Sequence, residues 1–261
     1  MRSLAIGATG MLAQQINVET ISNNIANATT TGFKKQRAEF QDLLYQNLRR
    51  MGSTSSDAGT IVPTGVQIGA GVRVAAIGRL MEQGNLTVTD NKLDVAINGS
   101  GYFQVLLPNG DTSYTRAGNF KLSPEGIIVT ADGYQVQPAI TIPAEAVDIT
   151  VNPSGEVLVK LDGQVETQNV GQIQLATFPN ASGLEAIGDN LFLQTPASGE
   201  AVAGAPGAPG FGRVVQGALE TSNVNIVQEI TTLISAQRAY EMNSKIIKTT
   251  DEMMQQASQM R

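Results

Sequence analysis

The sequence predicts an α+β fold in which long N- and C-terminal α-helices pack as a coiled-coil-like core domain. A central antiparallel β-rich domain and an extended inter-subunit arm complete it. Three observations lead to this prediction: apolar residues recur every seven positions near both ends, turn motifs crowd the middle, and a serine- and glycine-rich segment follows the first helix. The expected domains are a discontinuous helical core (1–32 and 222–261), an arm (33–71) and a β-rich domain (72–221).

The N-terminal helix is predicted over residues 4–30. Its apolar residues lie seven apart, which places them along one face of a helix. The threonines and the glycine at positions 29–32 are expected to end it. The residues of this face are Leu4, Met11, Val18 and Ile25.

The C-terminal helix is predicted to be longer. Ser222 and the asparagines after it offer an N-cap, and no glycine or proline follows up to Arg261, so the helix could run for about 33 residues. Its apolar residues again recur every seven positions, at Ile226, Leu233, Tyr240, Ile247 and Met254.

The heptad positions between these residues are unusual. Ile230 is apolar, but Gln237, Ser244 and Asp251 are polar, whereas a two-stranded coiled coil requires apolar residues at both positions. The pattern favours a helix with several neighbours that each cover part of it, so Ile230 and the two heptad series are our candidate self-assembly residues. The pattern alone leaves open a helical hairpin within one monomer.

The middle of the chain is predicted to be β-rich and antiparallel. Short runs of valine, isoleucine, leucine, threonine and phenylalanine alternate with Asn-Gly, Asp-Gly, Glu-Gly and Ser-Gly pairs. Asn-Gly and Asp-Gly are preferred in tight hairpins because both central residues need positive φ. The turns are expected at Gly99, Gly110, Gly126, Gly133, Gly155, Gly163 and Gly183.

The segment between the first helix and the β-rich region is predicted to be irregular. Phe40 and Leu44 could anchor it, and its serine- and glycine-rich part would be flexible in isolation. A structureless segment of this length is uncommon inside a compact domain. We therefore expect an arm that becomes ordered on a neighbouring molecule, with candidate residues Phe40, Leu44, Gly52, Ser53, Ser55 and Ser56.

Composition excludes several classes of function. The chain has no histidine and no cysteine, so it cannot build a Ser-His-Asp triad, a cysteine nucleophile or a zinc site with such ligands. Its net charge of −6 argues against nucleic acid as a partner, and no long apolar run predicts membrane insertion. Carboxylates are the remaining catalytic groups, but several lie beside turn glycines, where aspartate has a backbone role. We expect no catalytic residue, no metal and no cofactor, and hence not an enzyme.

Motifs along the whole chain resemble the bacterial flagellar axial family of rod and hook proteins. The resemblance is strongest in S-N-N-I-A-N-A-T-T-T-G-F-K (22–34) and G-N-L-T-V-T-D-N-K-L-D-V-A-I-N-G-S-G-Y-F-Q-V (84–105). It continues in Y-T-R-A-G-N-F (114–120), G-L-E-A-I-G-D-N-L-F (183–192), E-T-S-N-V-N-I-V-Q-E-I (220–230) and Q-R-A-Y-E-M-N-S-K (237–245). The chain is most similar to the distal rod members of the family. Its signature residues are Asn24, Asn27, Thr31, Gly32, Phe33 and Lys34.

The resemblance implies a structural subunit of the flagellar distal rod, which self-assembles into a rigid helical tube. This tube would cross the periplasm to the outer membrane and transmit motor torque to the hook. The implied partners are further copies of the chain, proximal rod proteins, the hook protein and the P-ring and L-ring proteins as bushings. Export would use the flagellar type III apparatus without a cleaved signal peptide. The terminal helices would form the inner core of the tube, and residues 33–71 would bridge neighbouring subunits.

Other interpretations stay open. Within the family, the chain could be a proximal rod or hook-type subunit. A peptidoglycan hydrolase is a distant alternative, because a rod must pass the cell wall. A β module that binds sugar or a receptor is disfavoured, since only 5% of the residues are aromatic.

Overall fold

A computed structural model describes residues 2–52, 64–163 and 166–259. The chain forms two compact units, and both are discontinuous in sequence. The helical unit comprises Met1–Ile25, Gln36–Gly78 and Ile226–Arg261, and the β unit comprises Ala26–Lys35 and Arg79–Asn225. The predicted α+β class, with helices at both ends and a β-rich region between them, is confirmed.

The terminal helices have close to their predicted lengths. Helix α1 spans Arg2–Ala26, and helix α2 spans Ile226–Gln259, a length of 34 residues. Helix α1 ends before the predicted position 30 because Asn27 begins a turn. The backbone carbonyl of Asn27 accepts a hydrogen bond from the Thr30 amide at 3.2 Å, and the Thr30 hydroxyl donates to Asn27 Oδ1 at 3.1 Å.

The expectation that residues 33–71 are irregular is wrong for much of this segment. Strand β1 (Gln36–Asp42) pairs with β4 (Val72–Arg79), and β2 (Tyr45–Arg49) pairs with β3 (Val66–Gly69). Backbone amides and carbonyls need partners, and these strands find theirs far along the chain, where a local pattern gives no signal. Residues 72–78 belong to the helical unit, whereas we expected them in the β-rich domain.

The β unit consists of short strands joined by tight turns. In chain order they are β5 Leu86–Val88, β6 Val95–Asn98, β7 Tyr102–Leu106, β8 Thr112–Thr115, β9 Lys121–Leu122, β10 Ile128–Val129, β11 Gln135–Gln137, β12 Ala146–Val151, β13 Glu156–Leu161, β14 Thr167–Gln172, β15 Leu175–Thr177, β16 Glu185–Gly188, β17 Leu191–Leu193, β18 Val202–Gly204, β19 Arg213–Gln216 and β20 Ala218–Glu220.

These strands pair antiparallel, as predicted. One sheet runs in the order β16-β17-β8-β7-β11-β10-β9, and β15 joins it by pairing with β7 on one side and β18 on the other. Strands β12, β13 and β14 form a meander, while β6 pairs with β19 and β5 with β20.

The core of the β unit is apolar and centred on β7. Phe103 and Val105 are fully buried among side chains that include Ile97, Val157 and Leu175. The rings of Phe103 and Phe120 meet edge to face at 5.0 Å between centroids, a geometry that aromatic pairs prefer.

The predicted turn glycines mostly have the expected positive φ, but the expectation that the residue before each of them also has positive φ is wrong: among the described residues other than glycine, only Asp189 and Asn190 have it. Positive φ is found at Gly99, Gly110, Gly126, Gly133, Gly155 and Gly163. Gly183 differs, because it ends a short 3₁₀ helix, Ala181–Gly183, instead of closing a hairpin.

Candidate assembly site

The candidate site lies on α1 and α2, which contact each other within the helical unit. Gly7 faces Ile247 and Gly10 faces Asn243, so the helices run antiparallel. Glycine permits this close approach: an added Cβ would lie 3.0 Å from Ile247 Cγ1 at position 7, and 2.9 Å from Asn243 Nδ2 at position 10. The contact is one of close backbone approach, and coiled-coil packing of the pair stays a prediction.

The side chains buried along this contact are mostly small or polar. On α2 the buried positions Glu229, Ala236 and Thr250 fall in one heptad series, and Asn243, which faces Gly10, completes it. The buried residues of α1 are Gly7, Ala13, Thr20, Ile21 and Asn24. A contact built from such residues buries little apolar area, so it contributes little hydrophobic stabilisation.

The ten candidate self-assembly residues all lie in the described part of the chain, and none of them is fully buried. Leu4, Met11, Val18, Ile25, Leu233 and Ile247 are half-buried, while Ile226, Ile230, Tyr240 and Met254 are exposed. Further exposed apolar side chains on α2 are Val227, Ile234, Met242, Ile246 and Met253. The helices contact each other within one chain, as a hairpin would, yet much of the apolar surface of α2 stays uncovered.

Asn24 connects the end of α1 to α2 and to β1. Its Nδ2 donates to the Gln36 carbonyl at 2.8 Å and to Glu229 Oε2 at 3.0 Å, and its Oδ1 accepts from the Gln36 amide at 2.8 Å. The amide group thereby mimics one rung of a β-ladder while it also satisfies a buried carboxylate. Aspartate would lack the donor, which explains why asparagine is needed here.

Lys34 forms a buried ion pair within the β unit. Its Nζ lies 2.6 Å from Glu220 Oε1 and donates to the Glu82 carbonyl at 2.8 Å. The side chains of Lys34 and Glu220 are each 1% exposed. Burial lowers the pKa of Lys34, and attraction to the Glu220 carboxylate opposes that shift.

Arg116 adds a second cation to this cluster. Its Nη1 lies 3.3 Å from Glu220 Oε2, its Nη2 donates to the Gly99 carbonyl at 2.7 Å, and its guanidinium carbon stands 5.4 Å from the centre of the Tyr102 ring. A cation over an aromatic face is attracted by the ring quadrupole. Lys34, Arg116 and Glu220 thus place two positive charges against one negative charge in the protein interior.

Gly32 and the residues beside it join separate parts of the β unit. The Gly32 amide donates to the Glu220 carbonyl at 2.8 Å, and the Lys35 amide donates to Asn223 Oδ1 at 2.6 Å. Gly32 has φ +69°, and a Cβ there would lie 2.9 Å from the Ala117 nitrogen. Both the backbone conformation and the lack of space select glycine.

The remaining signature residues, Asn27, Thr31 and Phe33, lie in the turn after α1 or directly after it. Asn27 and Thr31 belong to the half-buried turn after α1, and the Phe33 carbonyl accepts from the Asn223 amide at 3.4 Å. The structure therefore gives the signature a structural role: it anchors the chain where α1 passes into the β-rich region.

The candidate arm residues divide into two groups. Phe40 and Leu44 are exposed, Leu44 to 87%, and Gly52 is exposed at the end of the described segment. Ser53, Ser55 and Ser56 lie outside the described residues. A bridging role for this segment stays a prediction.

Sequence reasoning missed four residues that hold these sites together: Glu229, Glu220, Arg116 and Asn223. Each lies inside a motif that carried the family resemblance, since Glu220, Asn223 and Glu229 fall within 220–230 and Arg116 falls within 114–120. For Glu229, Glu220 and Arg116, a charge inside a motif was the available signal, but nothing in the local pattern indicated which partner it meets. Asn223 was considered only as an N-cap of α2, and its hydrogen bonds to distant residues had no local signal.

Two properties of the described residues bear on other functions. No helix among them is long and apolar enough to cross a membrane. Across the same residues, no group of three or more aspartates or glutamates is arranged to hold a metal ion.

Family comparisons match three regions of the chain. Residues 4–34 match the flagella basal body rod protein family, residues 96–159 match the flagellar hook protein FlgE/F/G D1 domain, and residues 215–260 match the flagellar basal body rod FlgEFG protein C-terminal family. The two outer matches contain nearly all of α1 and α2.

Full-length relatives agree with these matches. The chain is 63% identical over 261 residues to the flagellar basal-body rod protein FlgG of Caulobacter vibrioides, with 100% of both chains covered. It is 53% identical to that of Agrobacterium fabrum, with 97% of each chain covered, and 40% identical to that of Bacillus subtilis, with 98% of this chain and 97% of the relative covered. The chain therefore belongs to the family of flagellar basal-body rod proteins and is a structural subunit of the flagellar rod.

Proposed function

We propose that this chain builds the distal rod by self-assembly through its terminal helices, giving a rigid helical tube that transmits motor torque to the hook. The observation that carries the proposal is the exposed apolar surface of α2, where Ile230, Ile234 and Ile246 are each between 44% and 46% exposed. Large apolar side chains left exposed in such number on one helix indicate an interaction surface. Full-length identity of 63% to a basal-body rod protein supports a rod as the assembly.

The energetics favour a polymer held by many small contacts. Complete burial of an isoleucine or methionine side chain stabilises by about 1.5–3 kcal/mol, so covering a half-exposed one contributes about half of that. Association itself costs an estimated 4–15 kcal/mol. One weak contact does not overcome this cost, whereas several neighbours covering one helix do. Contacts that do not close on themselves then propagate as a helical assembly.

The arm is proposed to strengthen the same assembly. Leu44 is 87% exposed, and Tyr45, Leu48 and Met51 beside it are 55–59% exposed. A two-stranded hairpin is marginally stable alone in water, so β2 and β3 would gain stability from an external surface. A neighbouring subunit provides that surface in a polymer.

The direct test is concentration-dependent polymerisation. Purified protein is concentrated, examined by negative-stain electron microscopy and quantified by sedimentation. We expect straight tubes above a threshold concentration. Ile230→Asp should raise that threshold at least tenfold, because it places a charge in an apolar contact, while Thr231→Asp at the exposed next position should change it little. Equal thresholds for the two variants would refute the role of this surface.

Location and partners follow from the proposed role. The rod would lie in the basal body, cross the periplasm to the outer membrane inside the P and L rings, and join proximal rod proteins to the hook. Export would use the type III apparatus. Pull-down of each partner by polymer fixed to beads tests the contacts, with denatured protein as the control.

We further propose that the chain has no enzymatic activity, since its family is structural. A suspension of peptidoglycan should keep its turbidity in the presence of the protein. A fall in turbidity would contradict the proposal and support the peptidoglycan hydrolase alternative. The alternative of a proximal rod or hook-type subunit is tested by the shape of the polymer in electron micrographs, because a hook-type polymer would be curved.

A further inference from the structure

The methionines of this chain are concentrated in the helical unit. The chain has eight methionines, and all but Met81 fall within the sequence ranges of that unit. The chain has no cysteine, so the thioethers of methionine are its readily oxidised sulfur groups. The oxidisable sulfur therefore belongs to the unit that carries the proposed assembly surface.

Methionine enters α2 only in the second half of the helix. The apolar residues of 226–241 are isoleucine, valine, leucine, alanine and tyrosine, whereas the second half contains Met242, Met253 and Met254. These three side chains are 63%, 61% and 37% exposed. In a single chain they are therefore open to a dissolved oxidant.

The three methionines lie on two sides of α2. Met242 and Met253 are separated by three turns, about 20° around the axis and roughly 16 Å along it, and Ile246 lies between them on the same side. Met254 is rotated by about 100° from Met253. A neighbour that covers this half of α2 on either of these sides therefore packs against a thioether.

A peroxide converts a thioether into a sulfoxide. The sulfur lone pair attacks one peroxide oxygen, and an S–O bond forms as the O–O bond breaks. The proton of the transferred hydroxyl goes to the departing hydroxide, which leaves as water. Sulfur has then lost two electrons, and the peroxide has gained them.

The sulfoxide changes what the surface can contact. Oxidation turns a flexible apolar side chain into a polar one and disrupts methionine-rich interfaces. Burying its oxygen without a hydrogen-bond donor is costly. Apolar side chains such as the exposed Leu12 and Ile230 provide no donor, so a contact built from such residues cannot compensate for the added oxygen.

We propose that Met242, Met253 and Met254 form a modification site for peroxides, and that their oxidation keeps a subunit out of the polymer. Subunits already inside the polymer are protected, because the assembly contact covers the same side chains. The modification is reversible, since sulfoxide reductases restore the thioether. The site regulates assembly only if the chain polymerises, and so rests on the proposed function.

Met81 provides an internal reference for the reactivity of these sulfurs. It is half-buried in the β unit, and its Sδ accepts a hydrogen bond from the Tyr102 hydroxyl at 3.6 Å. Because that bond engages a sulfur lone pair, Met81 should react more slowly. Mass-spectrometric peptide mapping of dilute protein treated with hydrogen peroxide should show Met242 and Met253 oxidised several-fold faster than Met81. Polymerised protein should lose this difference.

The functional test compares polymerisation thresholds, measured by sedimentation, before and after peroxide treatment. We expect oxidation to raise the threshold of the unmodified sequence at least tenfold. Met242→Leu/Met253→Leu/Met254→Leu removes the sulfur but keeps a similar apolar volume, so its threshold should be near normal and should not respond to peroxide. The matched control Met51→Leu removes a 59% exposed methionine outside α2 and should stay fully sensitive.

Two further measurements separate oxidation from damage to the fold. Treating the oxidised protein with both methionine sulfoxide reductases and dithiothreitol should restore the original threshold, which decides the question even if the leucine variant does not polymerise. Far-UV circular dichroism of the oxidised single chain should be unchanged, because sulfoxides on exposed sides of a helix require no rearrangement. Loss of helix on oxidation would overturn the inference.

The outcomes distinguish the inference from the proposed function. Normal polymers with a threshold that peroxide does not change overturn the inference and leave the proposed function intact. A leucine variant that polymerises but loses as much on oxidation as the unmodified sequence does the same. Absence of polymers from untreated protein overturns both.

Discussion

The buried cluster of Lys34, Arg116 and Glu220 predicts an unequal response to two substitutions that each break the same ion pair. Glu220→Gln removes the only carboxylate of the cluster and leaves two cations facing each other. Lys34→Met removes one of the two cations and leaves Glu220 paired with Arg116 at 3.3 Å. Treating the contact as a simple pair would predict equal losses.

The magnitudes follow from what each substitution leaves behind. Removing one partner of a buried pair costs about 3–5 kcal/mol when a charge is left uncompensated, and we expect that loss for Glu220→Gln. After Lys34→Met, Glu220 Oε1 still accepts from the Gly84 amide at 2.9 Å, and the Glu82 carbonyl still accepts from Asn223 Nδ2 at 3.1 Å. Only hydrogen bonds to a charged group are lost, so we expect about 1.5–3 kcal/mol.

Urea unfolding provides the assay. The chain has no tryptophan, and the buried Tyr102 and Tyr114 report on the β unit by tyrosine fluorescence. The free energy of unfolding should fall further for Glu220→Gln than for Lys34→Met. Equal losses, or a loss below 1 kcal/mol for Glu220→Gln, would refute the assignment of a net positive cluster.

The same cluster predicts an alkaline dependence of stability. Burial lowers the pKa of Lys34 from its ordinary value of 10.5. Between the lowered pKa and 10.5 the unfolded chain binds more protons than the folded chain, so the free energy of unfolding rises with pH. Lys34→Met should lack this rise. The rise in the free energy of unfolding should end near pH 10. Burial raises the pKa of Tyr102 and Tyr114, so above pH 10 the folded chain binds more protons than the unfolded chain, and the free energy of unfolding falls with pH.

Further predictions concern backbone space and the contact between the helices. Gly32→Ala should lower the free energy of unfolding by about 1–3 kcal/mol, because it forces an alanine into positive φ against a backbone atom, while Gly110→Ala, where space is open, should cost less in the same urea assay. Asn24→Asp should destabilise the protein at neutral pH by placing a second carboxylate near Glu229, and thermal unfolding should show the loss recovered on acidification, as one carboxyl is protonated. Gly7→Leu should separate α1 from α2, and limited proteolysis should then cut both helices faster than in Gly7→Ala.

Periodicity predicted the helices well because their signal is local. The length and start of α2 follow from an N-cap region at 222–225 and an unbroken run without glycine or proline. The positive φ of Gly99, Gly110 and Gly126 was predictable for the same reason, since glycine adopts positive φ without steric cost whatever lies far along the chain.

Pairing partners were not predictable from the sequence. Residues 36–42 look irregular because their strand partner begins at residue 72, and a single strand with mixed polarity has no strong period. The helix contact was hidden for a related reason. Heptad analysis selects large apolar residues, but here a glycine at position 7 and a glutamate at position 229 lie at the contact, and none of the selected apolar residues is fully buried.

The helical unit can form completely only after α2, the last element of the chain, is present. Asn24 and Glu229, which join its two helices, are 205 residues apart, and the whole β unit lies between them. Contacts of such separation form slowly, because a long loop must close first. A chain cut short between the end of β20 and the start of α2 would therefore carry the β unit but no assembly helix pair. Assembly is therefore restricted to subunits that contain α2, because a truncated subunit lacks the surface by which it would enter the polymer.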